Sequence, residues 1–148
     1  MSAPQRILVP TDFSQYADKA LEEALLLARQ FKSEIHLIHV VDDIQQCAID
    51  YCLAQELVDE YRKSSVNASQ EKLQKMIEGI PDAKELRIFT NVRIGTPFEE
   101  ILKEEQEKKI DLIVIASHGR TGFIHHLMGS VAERVSRRAK SQVMLVKA

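Results

Sequence analysis

Gly119 and Gly129 stand with nine residues between them, and Ser130 follows at once where a helix opens. A helix start presents backbone N–H groups without partners and a partial positive charge, which suits a phosphate. Glycine removes the Cβ that would keep a phosphate away from those amides. The Ser130 hydroxyl can add a hydrogen bond, and Arg120 can swing a cation toward the same oxygens. The plainer alternative is a pair of turn glycines and a serine that only caps its helix; the local pattern accommodates both. A second polar loop, Pro10-Thr-Asp-Phe-Ser14, leaves the first apolar run and is rich in helix-capping types.

The elements that must position these loops follow from periodicity. Arg6 to Pro10 is a short apolar run stopped by proline, as in a strand buried on both faces. Ala17, Ala20, Leu21, Ala24, Leu25 and Ala28 recur at spacings of three and four, an amphipathic helix. Glu34 to Val41 is a second strand, and the stretch from about Asp50 to Glu78 reads as one long helix closed by Gly79 and Pro81. A third strand runs from Glu85 to Arg93. Thr96 and Pro97 then open a helix that continues to about Lys109. Asp111 to Ala116 is the fourth strand, Ser117 to Met128 a loop, Gly129-Ser130 the start of the last helix, and Ser141 to Val146 the final strand. Strands alternating with helices predict a parallel sheet covered on both faces. Ligands of such sheets bind outside the carboxyl ends of the strands, where the strand order reverses. If strands one and four are neighbours, the two polar loops converge there. No repeat or linker interrupts the pattern, so one domain over residues 1–148 is expected.

Bulk properties remove several classes of function. The 148 residues are 45% apolar and 28% charged, with a formal net charge of −2, so nothing favours nonspecific nucleic-acid binding. No apolar run approaches the length a bilayer requires, and no targeting segment is visible, so no membrane partner and a cytoplasmic location are expected. Cys47 and Cys52 fit neither a redox pair nor a zinc knuckle. The phosphate loop of common ATPases and the glycine fingerprint of dehydrogenases are both missing. His118, His125 and His126 make a poor ligand set without cysteine or carboxylate in register, so no protein-built metal site is expected. His36 and His39 point to opposite faces of their strand and read as structural. Ser117 beside His118 does not make a dyad, so no catalytic residue is assigned.

Ala116-Ser-His-Gly119, nine residues, Gly129-Ser130, then Val131-Ala-Glu-Arg-Val and a closing Val-Met-Leu-Val-Lys147 resemble the carboxyl-terminal signature of the universal stress protein family. In its nucleotide-binding branch that signature is Gly-x2-Gly-x9-Gly-Ser/Thr. The opening Ile7-Leu-Val-Pro-Thr-Asp-Phe-Ser14, Ile38-His-Val40, Gly95-Thr-Pro-Phe-Glu-Glu-Ile101 and Asp111-Leu-Ile-Val-Ile115 are similar to family members too, leaving about residues 43–80 outside the resemblance. One position departs: Ala116 replaces the first glycine. A positive φ there would make alanine cost about 1 kcal/mol or more, whereas a need for room alone would tolerate it.

The resemblance implies an α/β fold: an open five-stranded parallel sheet of order 3-2-1-4-5, Rossmann-like and of the adenine nucleotide alpha hydrolase type. It implies ATP or AMP as ligand, with Mg or Mn as a possible companion. Pro10, Thr11 and Asp12 would border the nucleoside, and the Val40 backbone would meet the adenine edge. Gly119, Gly129, Ser130 and the Val131 amide would hold phosphates, aided by Arg120, with Ile115 and Ala116 against base and sugar. It further implies a homodimer built by antiparallel pairing of Ser141 to Val146, acting as a stress-response or regulatory module. The alternatives are an interaction module of the same fold without nucleotide, and a slow ATPase or autokinase.

Overall fold

The computed structural model describes residues 2–119 and 128–147. Arg120, His125 and His126, on which part of the sequence argument rests, lie outside the described residues. Five strands, β1 (Arg6–Pro10), β2 (Glu34–Val41), β3 (Arg87–Ile94), β4 (Leu112–Ala116) and β5 (Gln142–Val146), form one sheet in the order β3-β2-β1-β4-β5. Every neighbouring pair is parallel, with Ile7 opposite Leu112 and Pro10 opposite Ile38. The reversal therefore falls between β1 and β4, as expected.

Period-two alternation sends each strand's side chains to two separate cores. Ile7, Val9, Ile35, Leu37 and Val114 pack under α1 (Gln15–Phe31) and α3 (Gln55–Glu78). Leu8, Ile38, Ile113 and Ile115 pack under α4 (Pro97–Glu107) and α5 (Ser130–Arg138). α1 lies on the sheet through Ala20, Ala24 and Ala28, all with 0% exposure. Ser14 caps that helix, its hydroxyl accepting from the Ala17 N–H at 3.2 Å.

The long helix expected from about Asp50 to Glu78 begins later, as α3 at Gln55, and a separate short helix, α2 (Gln45–Asp50), precedes it across Tyr51 to Ala54. Cys52 takes the left-handed conformation, φ 53°. The Leu53 N–H donates to Ala48 O at 2.8 Å, and the Cys52 N–H donates to Ile49 O at 3.3 Å. Those two bonds define a Schellman cap, usually marked by glycine; a cysteine in that role leaves no signal in composition. The third strand likewise starts at Arg87, because Ala83–Glu85 form a 3-10 turn. Thr96 stands at the start of α4 without a side-chain capping bond, and Pro97 occupies the first turn.

Candidate functional site

Both polar loops leave the carboxyl ends of adjacent strands β1 and β4, and between them lies a cleft of about 590 Å³. That volume is within the range of small-ligand sites. A larger groove of about 1070 Å³ lies at the opposite end of the sheet, walled by Leu27, Phe31, Lys109 and Lys140. Helices of a parallel sheet begin at the carboxyl ends of the strands, and among the described residues no helix N-terminus lines that groove. The smaller cleft is lined by residues from the first turns of α1, α4 and α5.

The β1 loop is held tightly. The Thr11 N–H donates to Ile38 O at 2.8 Å, and Thr11 O contacts His39 Nδ1 at 2.7 Å. Thr11 Oγ1 accepts from the Phe13 N–H and Asp12 Oδ1 from the Ser14 N–H, both at 3.0 Å. These bonds carry Phe13 through φ 64° and set its ring, tilted, 4.4 Å from that of His39. Burial, with Glu22 and Asp12 nearby, pushes the Asp18 carboxyl in the first turn of α1 up.

The register of β1 on β2 ends at Pro10 and Ile38. Since Ile38 O faces β1, the N–H and C=O of Val40, two residues on, face the same side beyond the end of the β1 ladder. A donor and an acceptor thus stand side by side at the cleft floor.

On the β4 side the Gly129 N–H donates to Ser117 O at 2.6 Å, closing the chain back on itself beside the start of α5. Gly129 is the N-cap and offers no side-chain bond to the first turn. The first backbone bond of α5 runs from Glu133 N to Gly129 O, so the amides of Ser130, Val131 and Ala132 have no intrahelical acceptor. Gly129 has φ −59°, so its glycine answers a need for space. A Cβ there would lie 3.3 Å from Ser117 O and 3.6 Å from Gly119 N. Ser117 Oγ and His118 Nδ1 are 3.0 Å apart, a local pair of neighbours.

Ala116 ends β4 opposite Val146 and is not among the positive-φ residues, which answers the question its replacement of glycine raised. An extended backbone accepts alanine without strain; only its methyl group enters the cleft wall.

The cleft lining includes Pro10, Thr11, Asp12 and Val40 from one side and Ile115, Ala116, Gly119, Gly129, Ser130 and Val131 from the other. Phe13, His39, Asp42 and a face of α3 line it too, and sequence reasoning had not singled them out. His39 reads as structural from its strand, yet its ring borders the cleft. Among the described residues no group of three His, Cys, Asp or Glu stands together as a metal site, and no helix is long and apolar enough to cross a membrane.

A doubly wound parallel sheet with a helix start lacking a side-chain cap at its switch point defines a Rossmann-like fold. The profile of the Universal stress protein family matches residues 4–147, and the chain belongs to that family. It is 34% identical to universal stress protein MJ0531 of Methanocaldococcus jannaschii over 97% of this chain and 82% of that one. The solved structure of MJ0577, described as a structure-based assignment of biochemical function, superposes with a TM-score of 0.86 at 27% identity, covering 99% of this chain and 98% of that one. A universal stress protein solved in complex with cAMP shares the fold at 23% identity and a TM-score of 0.63, covering 99% of this chain and 98% of that one.

Proposed function

We propose that the cleft binds an adenine nucleotide, ATP or AMP, and that occupancy regulates what the protein associates with. The observation that carries this reading is the start of α5: three amides without intrahelical acceptors, opening between Gly119 and Gly129, where no Cβ stands in the way. Phosphate oxygens would accept from the Ser130 and Val131 amides and the Ser130 hydroxyl, with Arg120 as a further cation. The paired N–H and C=O of Val40 match the donor and acceptor edge of adenine. Asp12, repelled by phosphates, would accept from ribose hydroxyls. Pro10, Thr11, Ile115 and Ala116 would pack on the nucleoside. A Mg or Mn ion accompanying a triphosphate would take most ligands from phosphate and water, with Asp12 or Asp42 as the available carboxylates. The solved cAMP complex of a protein sharing this fold makes adenine nucleotides the ligands to try first.

β5 is an edge strand with Leu145 36% exposed, and antiparallel pairing of two copies along it is the proposed dimer. The test of the nucleotide reading is direct. Denaturing the purified protein should release ATP or AMP near one per chain, and the emptied, refolded protein should regain it. A protein that is empty and gives no heat with millimolar ATP, ADP or AMP would be an interaction module of the same fold.

A further inference from the structure

One wall of the cleft comes from α3, which carries none of the motif residues. Tyr61, Ser65, Ser69 and Lys72 recur along α3 at steps of four, four and three, so they share one face, and that face lines the cleft. The helix cannot turn this face away. Val58 and Leu73 are buried at 0% and 1% exposure beneath it. Near its start, Arg62 Nη2 donates to Asp43 Oδ1 at 2.8 Å and to Gln45 Oε1 at 3.1 Å, tying α3 to the chain just beyond β2. The Arg62 hydrogen bond, with one from the Gln45 N–H, holds the Asp43 carboxyl below its ordinary range. Ser69 is satisfied within the helix, its hydroxyl donating to Ser65 O at 2.7 Å.

Lys72 is different. Among the described residues lining the cleft it carries the one lysine or arginine charge, whereas Asp12 and Asp42 bring carboxylates. Its Nζ sits 5.0 Å from the centroid of Phe13, the residue after Asp12, and the side chain is exposed. An exposed lysine over one half-buried ring is held weakly, and the four-carbon stem lets it turn toward an anion entering the cleft.

We propose that Lys72 is a specificity-determining residue that ranks ligands by phosphate charge, favouring polyphosphates over the monophosphate and the bare nucleoside. The proposal rests on the nucleotide reading above. Among the described lining residues Lys72 stands against two carboxylates, Asp12 and Asp42, and without it no lysine or arginine there offsets their repulsion of each added phosphate charge. The pull of the Lys72 ammonium on an entering anion grows with the anion's charge and weakens as salt screens it.

The experiment is calorimetric titration of the full chain, and of its Lys72→Met and Lys72→Arg variants, with adenosine, AMP, ADP and ATP at two salt concentrations. Lys72→Met should leave adenosine affinity unchanged, weaken AMP about twofold and weaken ATP about fivefold or more. Its salt dependence for ATP should be shallower by about one unit of log–log slope. Lys72→Arg should keep the wild-type ranking. Equal losses for adenosine and ATP, or none, overturn the proposal while leaving the nucleotide reading intact. Wild-type protein that binds none of the four overturns both.

Discussion

The carboxylate of Asp12 fills the space beside Gly119: a Cβ on that glycine would stand 2.9 Å from Asp12 Oδ2. The two loops that sequence reasoning treated separately are therefore in contact, and the contact explains the glycine. Gly119 has no positive φ, so its role is to leave room for the acid. Gly119→Ala should displace the Asp12 carboxylate, whose other oxygen is fixed by the Ser14 N–H. Nucleotide affinity measured by titration should fall about fivefold, with stability lowered by under about 1 kcal/mol. Asp12→Asn combined with Gly119→Ala should be no worse than either alone if the two effects share this cause.

Gly129 meets backbone on its open side, at Ser117 O and Gly119 N, and backbone cannot swing aside as a carboxylate can. Gly129→Val should push the 117–119 turn away from α5 and cover its free amides. Binding should drop at least thirtyfold, about 2 kcal/mol, while circular dichroism stays native. A folded Gly129→Val variant with unchanged affinity would remove the α5 start from the site.

Arg93 joins β3 to α4 away from the cleft. Its guanidinium donates to Glu100 at 2.9 Å, Glu104 at 2.6 Å and Glu107 at 3.0 Å, and Glu104 is 1% exposed. Burial alone would raise the pKa of Glu100, but Lys103 and Arg93 outweigh it and hold that carboxyl below its ordinary range. Arg93→Met strands the buried Glu104 carboxylate, and denaturant unfolding should show a loss of about 3–5 kcal/mol. Adding Glu104→Leu should restore most of it, because the cost lies in the unpaired charge.

His36 gives the fold a pH dependence near neutrality. It is 7% exposed, faces α4 and stacks on Phe89 at 5.1 Å. Burial lowers its pKa from the usual 6.5, with Lys108 in the same direction, against the opposing pull of Glu34 and Glu104. Nε2 is 3.5 Å from Glu34 Oε2 without hydrogen-bond geometry, which explains why burial prevails. Below pH 6.5 the unfolded chain takes up a proton that the native ring refuses. Stability is therefore complete above that pH and falls as pH drops toward the native pKa, by at most about 1.4 kcal/mol per pH unit. Urea titrations at pH 7.5, 6.5 and 5.5 should show this slope, and His36→Phe should flatten it.

The sheet was legible because its cause is local. Alternation in Glu34 to Val41, the alanine face of α1 and the Ser14 cap each act within a few residues, and the order 3-2-1-4-5 followed from the family resemblance. The helix start at Gly129 and Ser130 was legible for the same reason. Three things were decided only by packing. Cys52 ends α2 in a left-handed conformation its side chain does not advertise. Ala116 carries no backbone strain because its extended backbone belongs to β4, which no spacing between motif residues can report. The stripe from Tyr61 to Lys72 has the same periodicity as any solvated helix face. Only docking of Val58 and Leu73 against the sheet turns it toward the cleft, because burial selects one side of a helix through contacts distant in sequence.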